Sequence, residues 1–308
     1  MTKLILDADT IVYRISAKYQ SNLGFEDEEG FDRDLHVDKA SAYKELIETL
    51  QYYKDICSAD VVSMHLTIDP DRENFRYGIL PTYKSNRTSD KPILLDELKQ
   101  FLIVRYSAKA HSLIEADDAC TMEFTEPFKG HRILGHVDKD LNQVAGEHYN
   151  FQKDKFYIIS EEEAIHWHFK QVLEGDSTDG YQGCPGVGKT NSDRILKDKV
   201  KAVPTLYEFK RGARKGTTEV RWTEEVDEDA SLWDIVLSWY YKGMYNSGQL
   251  EHVSDISIGI EDSSVYAKAL QQARVAYMLR HGDVDGDNIK LWSPVTPTLK
   301  KLKRNRKS

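Results

Sequence analysis

The sequence predicts an α/β fold: a parallel sheet flanked by helices, followed by a region that is helical and rich in loops. Three observations lead there. Short aliphatic runs alternate with amphipathic stretches through the first half, the predicted strands there run into aspartates, and from about His166 the strand signal gives way to helical periodicity.

Each element follows from its residues. "LILDAD" reads as a short buried strand ending in acids, and "ASAYKELIETLQYYKDI" (Ala40 to Ile56) as an amphipathic helix. "VVSMHLTID" (Val61 to Asp69) is the next strand, "ILLDELKQFLIVRY" (Ile93 to Tyr106) a helix, "RILGHVDKD" (Arg132 to Asp140) a third strand and "KFYIIS" (Lys155 to Ser160) a fourth. In the second half, "AIHWHFKQVLEGD" predicts a helix ending near Gly175, "SDRILKDK" another and "SLWDIVLSWYYKGM" a third. A helix over Tyr266 to Arg280 and the short apolar segment "IKLW" follow. "FEDEEGFDRDLHVD" and "TEEVDEDA" read as solvated acidic loops, and the basic ending "LKKLKRNRKS" as a mobile arm. The expected units are therefore 1–165, 166–298 and a basic tail at 299–308.

With 308 residues and 40% apolar content the chain can bury a substantial core, in one large domain or two modest ones. "MTKLILDADT" turns acidic after three aliphatics, which fits neither a signal peptide nor a membrane span. Cys57, Cys120 and Cys184 are odd in number and lack a C-x-x-C pair, arguing against a disulfide framework and a thiolate zinc site. A reducing cytoplasm is the expected location. The net charge of −9 on its face disfavours a nucleic-acid partner, unless the acids are gathered where cations neutralise them.

They are so gathered. In a parallel sheet the functional crevice lies at the carboxyl ends of the strands. Asp7, Asp69, Asp138 and Asp140 follow predicted strands, "EADDA" supplies Glu115, Asp117 and Asp118 at a helix start, and "GDSTDG" adds Asp176 and Asp179. Any one such Asp is commonly a helix cap. Nine together would repel one another severely without bound cations. Oxygen ligands without His or Cys select hard ions such as Mg²⁺ or Mn²⁺, and two such ions form the clamp that hydrolyses phosphodiesters. Without these nine acids the remaining 42 equal the 42 Lys and Arg, so a DNA-binding surface is compatible with the composition.

"GCPGVGKT" (Gly183 to Thr190) satisfies G-x-x-x-x-G-K-[ST], the phosphate-cradling loop of nucleotide hydrolases. Such a loop must leave a buried strand, yet the polar "GDSTDGYQ" precedes it. A helix-hairpin-helix is favoured instead: Gly183, Gly186, Val187 and Gly188 make a tight turn whose backbone amides meet nucleic-acid phosphates, and Lys189 is at most a phosphate contact. "YKSNR" places Tyr83, Lys84 and Arg87 on nearby turns. The basic pair fits a solvated helix start or, beside a phosphodiester site, a device that draws in the scissile phosphate, with Tyr83 stacking on a base. A second basic cluster, "KRGARK" (Lys210 to Lys215), fits equally a loop tracking a DNA backbone and a mobile surface loop. "DVDGDN" (Asp283 to Asn288) lacks the glycine and terminal acid of a calcium loop, and the histidines of "HWH" (His166 to His168) do not share a helix face.

Taken in order, Asp7, Asp69 with "YKSNR", "EADD", "DKD" and "GDSTDGYQGCPGVG" resemble the 5′-nuclease superfamily of flap endonucleases and 5′-to-3′ exonucleases. "SLWD", "QQARVAYMLR" and "IKLW" resemble its short phage-encoded exonucleases. The resemblance implies a PIN-like (resolvase-like) nuclease domain followed by a helix-three-turn-helix DNA-binding region. It implies that Asp7, Asp69, Glu115, Asp117 and Asp118 hold one metal, that Asp140, Asp176 and Asp179 favour a second, and that Asp138 lies between. Lys84 and Arg87 would handle the scissile phosphate, and the hairpin would grip duplex DNA and coordinate K⁺ through carbonyls. The implied reaction is metal-dependent 5′-to-3′ hydrolysis leaving a 5′-phosphate and a 3′-hydroxyl, in phage replication, primer removal or host DNA degradation. No nucleotide cofactor is implied; other replication proteins are conceivable partners. The stretch between Arg87 and Glu115 is short beside relatives with a full helical arch, which favours trimming of duplex 5′ ends, RNA–DNA hybrids included, over threading of long flaps. Two competitors make different demands: a flap endonuclease of the same superfamily must cut at junctions, and a non-catalytic adaptor must bind duplex without cutting it.

Overall fold

The computed structural model describes residues 1–22, 35–69, 71–87, 90–250 and 264–294. The basic tail lies outside these residues, as does most of the acidic stretch before Leu35.

In chain order the elements begin β1 (Thr2–Asp7), α1 (Ala8–Lys18), β2 (Gln20–Asn22), β3 (Leu35–Val37), α2 (Lys39–Ile56), β4 (Val61–Thr67), α3 (Arg76–Ile79) and α4 (Leu95–Tyr106). They continue with β5 (Lys109–His111), α5 (Ala116–Thr125), β6 (His131–His136), a 3₁₀ turn (Lys139–Gln143), β7 (Gly146–Asn150) and β8 (Lys155–Ile159). The second half holds α6 (Glu161–Glu174), α7 (Lys189–Lys197), β9 (Val200–Glu208), β10 (Thr218–Val226), α8 (Leu232–Asn246), α9 (Ser264–Ala276), β11 (Val284–Asp285) and β12 (Asn288–Ile289).

The main sheet has the order β5-β4-β1-β6-β7-β8 and is parallel except for β8, which runs antiparallel to β7. The expected α/β class is what the chain forms. β1 lies inside the sheet and its Leu4, Ile5 and Leu6 are wholly buried, because helices cover both faces of a parallel sheet. Side chains alternate along it: Leu4 and Leu6 join the core beneath α1, α2 and α4, while Ile5 joins Cys120 and Phe124 of α5 on the other face. A second core is built from α6, α7, α8 and α9, with the α8 residues Val236, Trp239 and Tyr240 at its centre.

One segment welds the two cores. Arg76 and Asp118 form a fully buried ion pair, and the same guanidinium donates to the carbonyls of Val275 and Tyr277 at 2.9 and 2.8 Å. Asp118 accepts from the Leu279 amide, Thr121 donates to the Leu279 carbonyl, and Gln143 pairs with Ala276 and Met278. These bonds explain why the helix expected to reach Arg280 stops at Ala276. Backbone groups that would have continued it are held by side chains of the sheet unit.

Two further expectations are corrected, and two strands are added. Residues 200–226, which carry no strand signal clear enough to separate from loop, form a two-stranded antiparallel hairpin that absorbs "KRGARK" and half of "TEEVDEDA". The strands β5 and β7 also escape a periodicity reading, being short and polar. Finally, α6 starts at Glu161 behind a Ser160–Glu163 capping box, so a boundary at 165/166 falls inside a helix. Among the described residues no helix is long and apolar enough to cross a membrane.

Candidate metal centre

The loops at the carboxyl ends of β1 and β6, the start of α5 and the loop after α6 meet at one place. Asp7 ends β1 and caps α1, accepting from the Asp9 amide at 3.1 Å and the Thr10 hydroxyl at 2.7 Å. Burial, then the neighbouring charges of Asp9 and Asp138, push its pKa up to about 7. Asp117 is raised as well, by burial and by the carboxylates of Asp7, Asp138 and Glu115. Asp140, in the 3₁₀ turn, is raised by burial and by Asp138, and less by Asp179 and Asp176. Its side chain also accepts from Gln171 of α6.

These mutual effects define a single cluster: Asp7, Asp117 and Glu115 on one side, Asp140, Asp176 and Asp179 on the other, and Asp138 coupled to both. Three cations enter it. Lys84 Nζ lies 2.5 Å from Glu115 and 3.7 Å from Asp179, Arg87 lies 2.8 Å from Asp179, and Lys139 lies 2.9 Å from Asp176. Burial disfavours the charge of Glu115, but Lys84 and Arg76 outweigh it and hold the carboxyl below its ordinary range. Burial opposes the charge of Lys84 too, and Glu115 and Asp179 more than restore it. Asp176 is lowered in the same way: the Lys139 bond overcomes burial.

Two of the nine expected acids stand apart. Asp118 is fully buried and both its oxygens are taken by Arg76, so the expectation that it ligates a metal is corrected: it is a structural partner. Asp69 accepts from the amides of Glu73 and Asn74, closing the turn after β4. Tyr83 is also corrected. It is 1% exposed, too buried to stack on a base, and its hydroxyl lies 3.1 Å from Glu115 and 3.0 Å from Asp179. Burial and Glu115 raise its pKa, keeping the phenol a donor that positions these carboxylates.

The sequence reading missed Asp9, Lys99 and Lys139. Asp9 accepts from the Thr67 amide at 2.9 Å and pairs with Lys99 at 2.6 Å, tying α1 to β4 and α4 beside Asp7. The D-A-D spacing was its one local signal, Lys139 stood inside the "DKD" motif, and Lys99 had none.

Do these residues suit divalent cations? Among the described residues no three His, Cys, Asp or Glu side chains close into a ready coordination shell. The donor chemistry nevertheless fits. Burial and neighbouring carboxylates raise the pKa values of Asp7, Asp117 and Asp140, and bound cations would relieve the cost of ionising them.

The glycine turn lies beside the cluster. Gly183 to Thr190 joins α6 to α7 with no strand before it, which is not the setting of a nucleotide-phosphate loop. Asp176 and Tyr181 form a β-bridge that pinches the turn. Gly175 and Gly183 both have φ +69°, and a Cβ on Gly183 would lie 2.3 Å from the Gly175 nitrogen. The expected phosphate contacts divide. Gly183 donates its amide to Gln272 and Val187 is 8% exposed, so both are structural. Gly186 and Gly188 face open space, and Gly188 caps α7 without a side-chain bond, leaving first-turn amides and Lys189 available.

No family model matches the chain. It is 25% identical over 302 residues to the exodeoxyribonuclease of Enterobacteria phage T3, covering 94% of this chain and 92% of that protein. It is 23% identical over 307 residues to the exonuclease of Escherichia phage T7, covering 94% and 93%. Among solved structures it is similar to the phage T5 D15 protein co-crystallized with metal ions, at TM-score 0.48 and 17% identity, over 64% of this chain and 75% of that one.

Proposed function

We propose, from the premise that this chain belongs with the phage exonucleases of the 5′-nuclease superfamily, that it is a divalent-metal-dependent 5′-to-3′ exodeoxyribonuclease acting on duplex 5′ ends. The observation that carries the reading is the seven-carboxylate cluster and the raised pKa values within it. Asp7, Glu115 and Asp117 would hold one Mg²⁺ or Mn²⁺, Asp140, Asp176 and Asp179 a second, with Asp138 between. Such a pair, when bound, activates water and stabilises the attacking and leaving oxygens of an in-line phosphodiester displacement.

The chain's own groups then have assignable tasks. Tyr83 orients Glu115 and Asp179 through its hydroxyl. Lys84 and Arg87 pair with those acids; with cations on the carboxylates, both would be free to meet the scissile phosphate, which the exposed Arg87 would reach most easily. Gly186, Gly188 and Lys189 offer amides and charge to the duplex backbone, and turn carbonyls would take K⁺. Residues up to Ser160 thus form the nuclease unit, and the helices after it the duplex-binding unit.

Trimming of ends is favoured over flap cutting because α4 is committed to the core. Its Leu95, Leu98 and Leu102 are buried, so this helix does not stand free over the cluster as an arch. RNA–DNA hybrids are a second duplex substrate under the same reading.

The test is hydrolysis of 5′-labelled and 3′-labelled duplexes with Mg²⁺ and then EDTA, comparing wild type with Asp140→Ala and Asp179→Ala. Metal-dependent release of small products from the 5′ end, crippled by either substitution, is expected. Intact DNA under every condition with binding retained would replace the nuclease with an adaptor.

A further inference from the structure

The β9–β10 hairpin is the part of the molecule that the catalytic reading leaves without a task. Its root is built in: Trp239 donates to the Val200 carbonyl at 2.7 Å, Ser238 accepts from the Ala202 amide, and both Val200 and Ala202 are buried. Beyond Pro204 the character changes. Leu206 is 70% and Tyr207 41% exposed, and because neighbours in a strand face opposite ways, neither face of the outer hairpin packs on the body. With its turn, the free portion extends roughly 15 Å at about 3.3 Å per residue.

The tip, Phe209 to Thr217, carries Lys210, Arg211, Arg214 and Lys215 and no acid. It is an ordered turn: Phe209 and Thr217 pair at 3.0 Å, Gly216 donates to Phe209 at 2.8 Å, and Gly212 and Gly216 take φ +81° and +82°. Arg214 stacks on Phe209 at 3.9 Å and Arg221 on Tyr207 at 3.5 Å, with the two rings 5.1 Å apart. Four acids stand on the two strands: Glu219 pairs with Arg214 of the tip and with Arg221, Glu224 pairs with Arg194 and Lys242, and the exposed Glu208 and Glu225 have no ion-pair partner among the described residues. Lys210, Arg211 and Lys215 have no ion-pair partner among the described residues. A chain of net charge −9 has thus placed four basic residues, three of them without an ion-pair partner among the described residues, on the preorganised tip of an arm that leaves α7 at the end opposite Gly188.

We propose that this hairpin is a second duplex-binding arm, in which Lys210, Arg211 and Lys215, beside the stacked Arg214, hold the phosphate backbone of DNA away from the cleavage point. Phosphates are the chemistry that such a tip matches: lysine is depleted at the centres of protein interfaces, whereas Lys and Arg on a glycine turn suit a polyanion. The stacking and the backbone bonds fix the tip in advance, so little order must be gained on binding. The arm would set affinity for long duplexes and the number of cuts per encounter, without touching the reacting bond.

The inference rests on the duplex-DNA reading above, and the experiment separates the two. Full-length wild type and the triple variant Lys210→Ala, Arg211→Ala, Lys215→Ala are compared for cleavage of short and long random-sequence duplexes and for binding of the long duplex across a salt series. Expected are an unchanged kcat on the saturating short duplex, roughly tenfold weaker binding of the long one near physiological salt, and a salt dependence shallower by about 2 to 3 in log–log slope. The charge-preserving triple Lys210→Arg, Arg211→Lys, Lys215→Arg keeps the wild-type slope. If wild type cuts DNA but the alanine variant binds and cuts long duplex as wild type does, the arm is not a DNA contact, and an acidic protein partner becomes its reading. If wild type binds long duplex with the steeper slope but cuts neither duplex, the nuclease reading fails and the arm stands.

Discussion

Lys84 Nζ lies 2.5 Å from Glu115 Oε1, two nearly buried groups joined in the middle of a carboxylate cluster. The ammonium bridges Glu115 and Asp179, residues that a cation would claim. Replacing Lys84 with Met keeps the stem and removes the charge. The expected result is a fall in kcat on the order of 10²-fold with a smaller change in KM, because the interaction is strongest in the transition state. A variant within twofold of wild type at saturating duplex would remove Lys84 from the chemistry.

Asp118 and Glu115 are three residues apart with opposite duties, which can be separated by substitution. Asp118→Asn leaves buried Arg76 with a neutral partner and is expected to cost about 3 kcal/mol of stability, while residual folded protein binds Mn²⁺ as wild type does. Thermal melting and a Mn²⁺ titration on the same sample check this. A loss of Mn²⁺ affinity at unchanged Tm would return Asp118 to the metal site.

Protons and metal ions compete for the cluster. Asp7 has a folded pKa of about 7, above its unfolded value near 4, so the folded metal-free chain binds the extra proton between those values. Its contribution to stability is therefore lost as pH rises through that window. Buried His136, His148 and His168, pushed down to about 3, 4 and 3, act oppositely: their penalty grows as pH falls below about 6.5. Since the histidines are common to both forms, the difference in Tm with and without Mg²⁺ isolates the carboxylates. That difference should widen from pH 5 to pH 8, and a gain that is flat across this range would mean that the acids do not bind the ion.

The turn between α6 and α7 is sterically determined at Gly183. An alanine there must hold φ +69° with its Cβ 2.3 Å from the Gly175 nitrogen and 2.7 Å from the Leu173 carbonyl oxygen, so Gly183→Ala should cost at least about 2 kcal/mol and weaken duplex binding. Gly188→Ala meets nothing within 4 Å and has φ −120°, and should melt within a degree or two of wild type. Equal melting temperatures for the two variants would contradict the pinched geometry.

What the sequence determined by itself was local. A three-residue aliphatic run ending in Asp7, the start of α5 at "EADDA" and a polar glycine turn are legible because strand burial, helix capping and positive φ act over a few residues. From these came the sheet, the side on which the acids collect and the rejection of a nucleotide loop. The tertiary structure decided which acids remain available. Asp118 is withdrawn by Arg76, 42 positions away, and Tyr83 is buried against carboxylates from two separate loops. The end of α9 and the exposed reach of the β9–β10 hairpin were decided the same way. A buried charge takes the partner that packing brings to it, and residues far apart in sequence carry no periodic signal of that meeting.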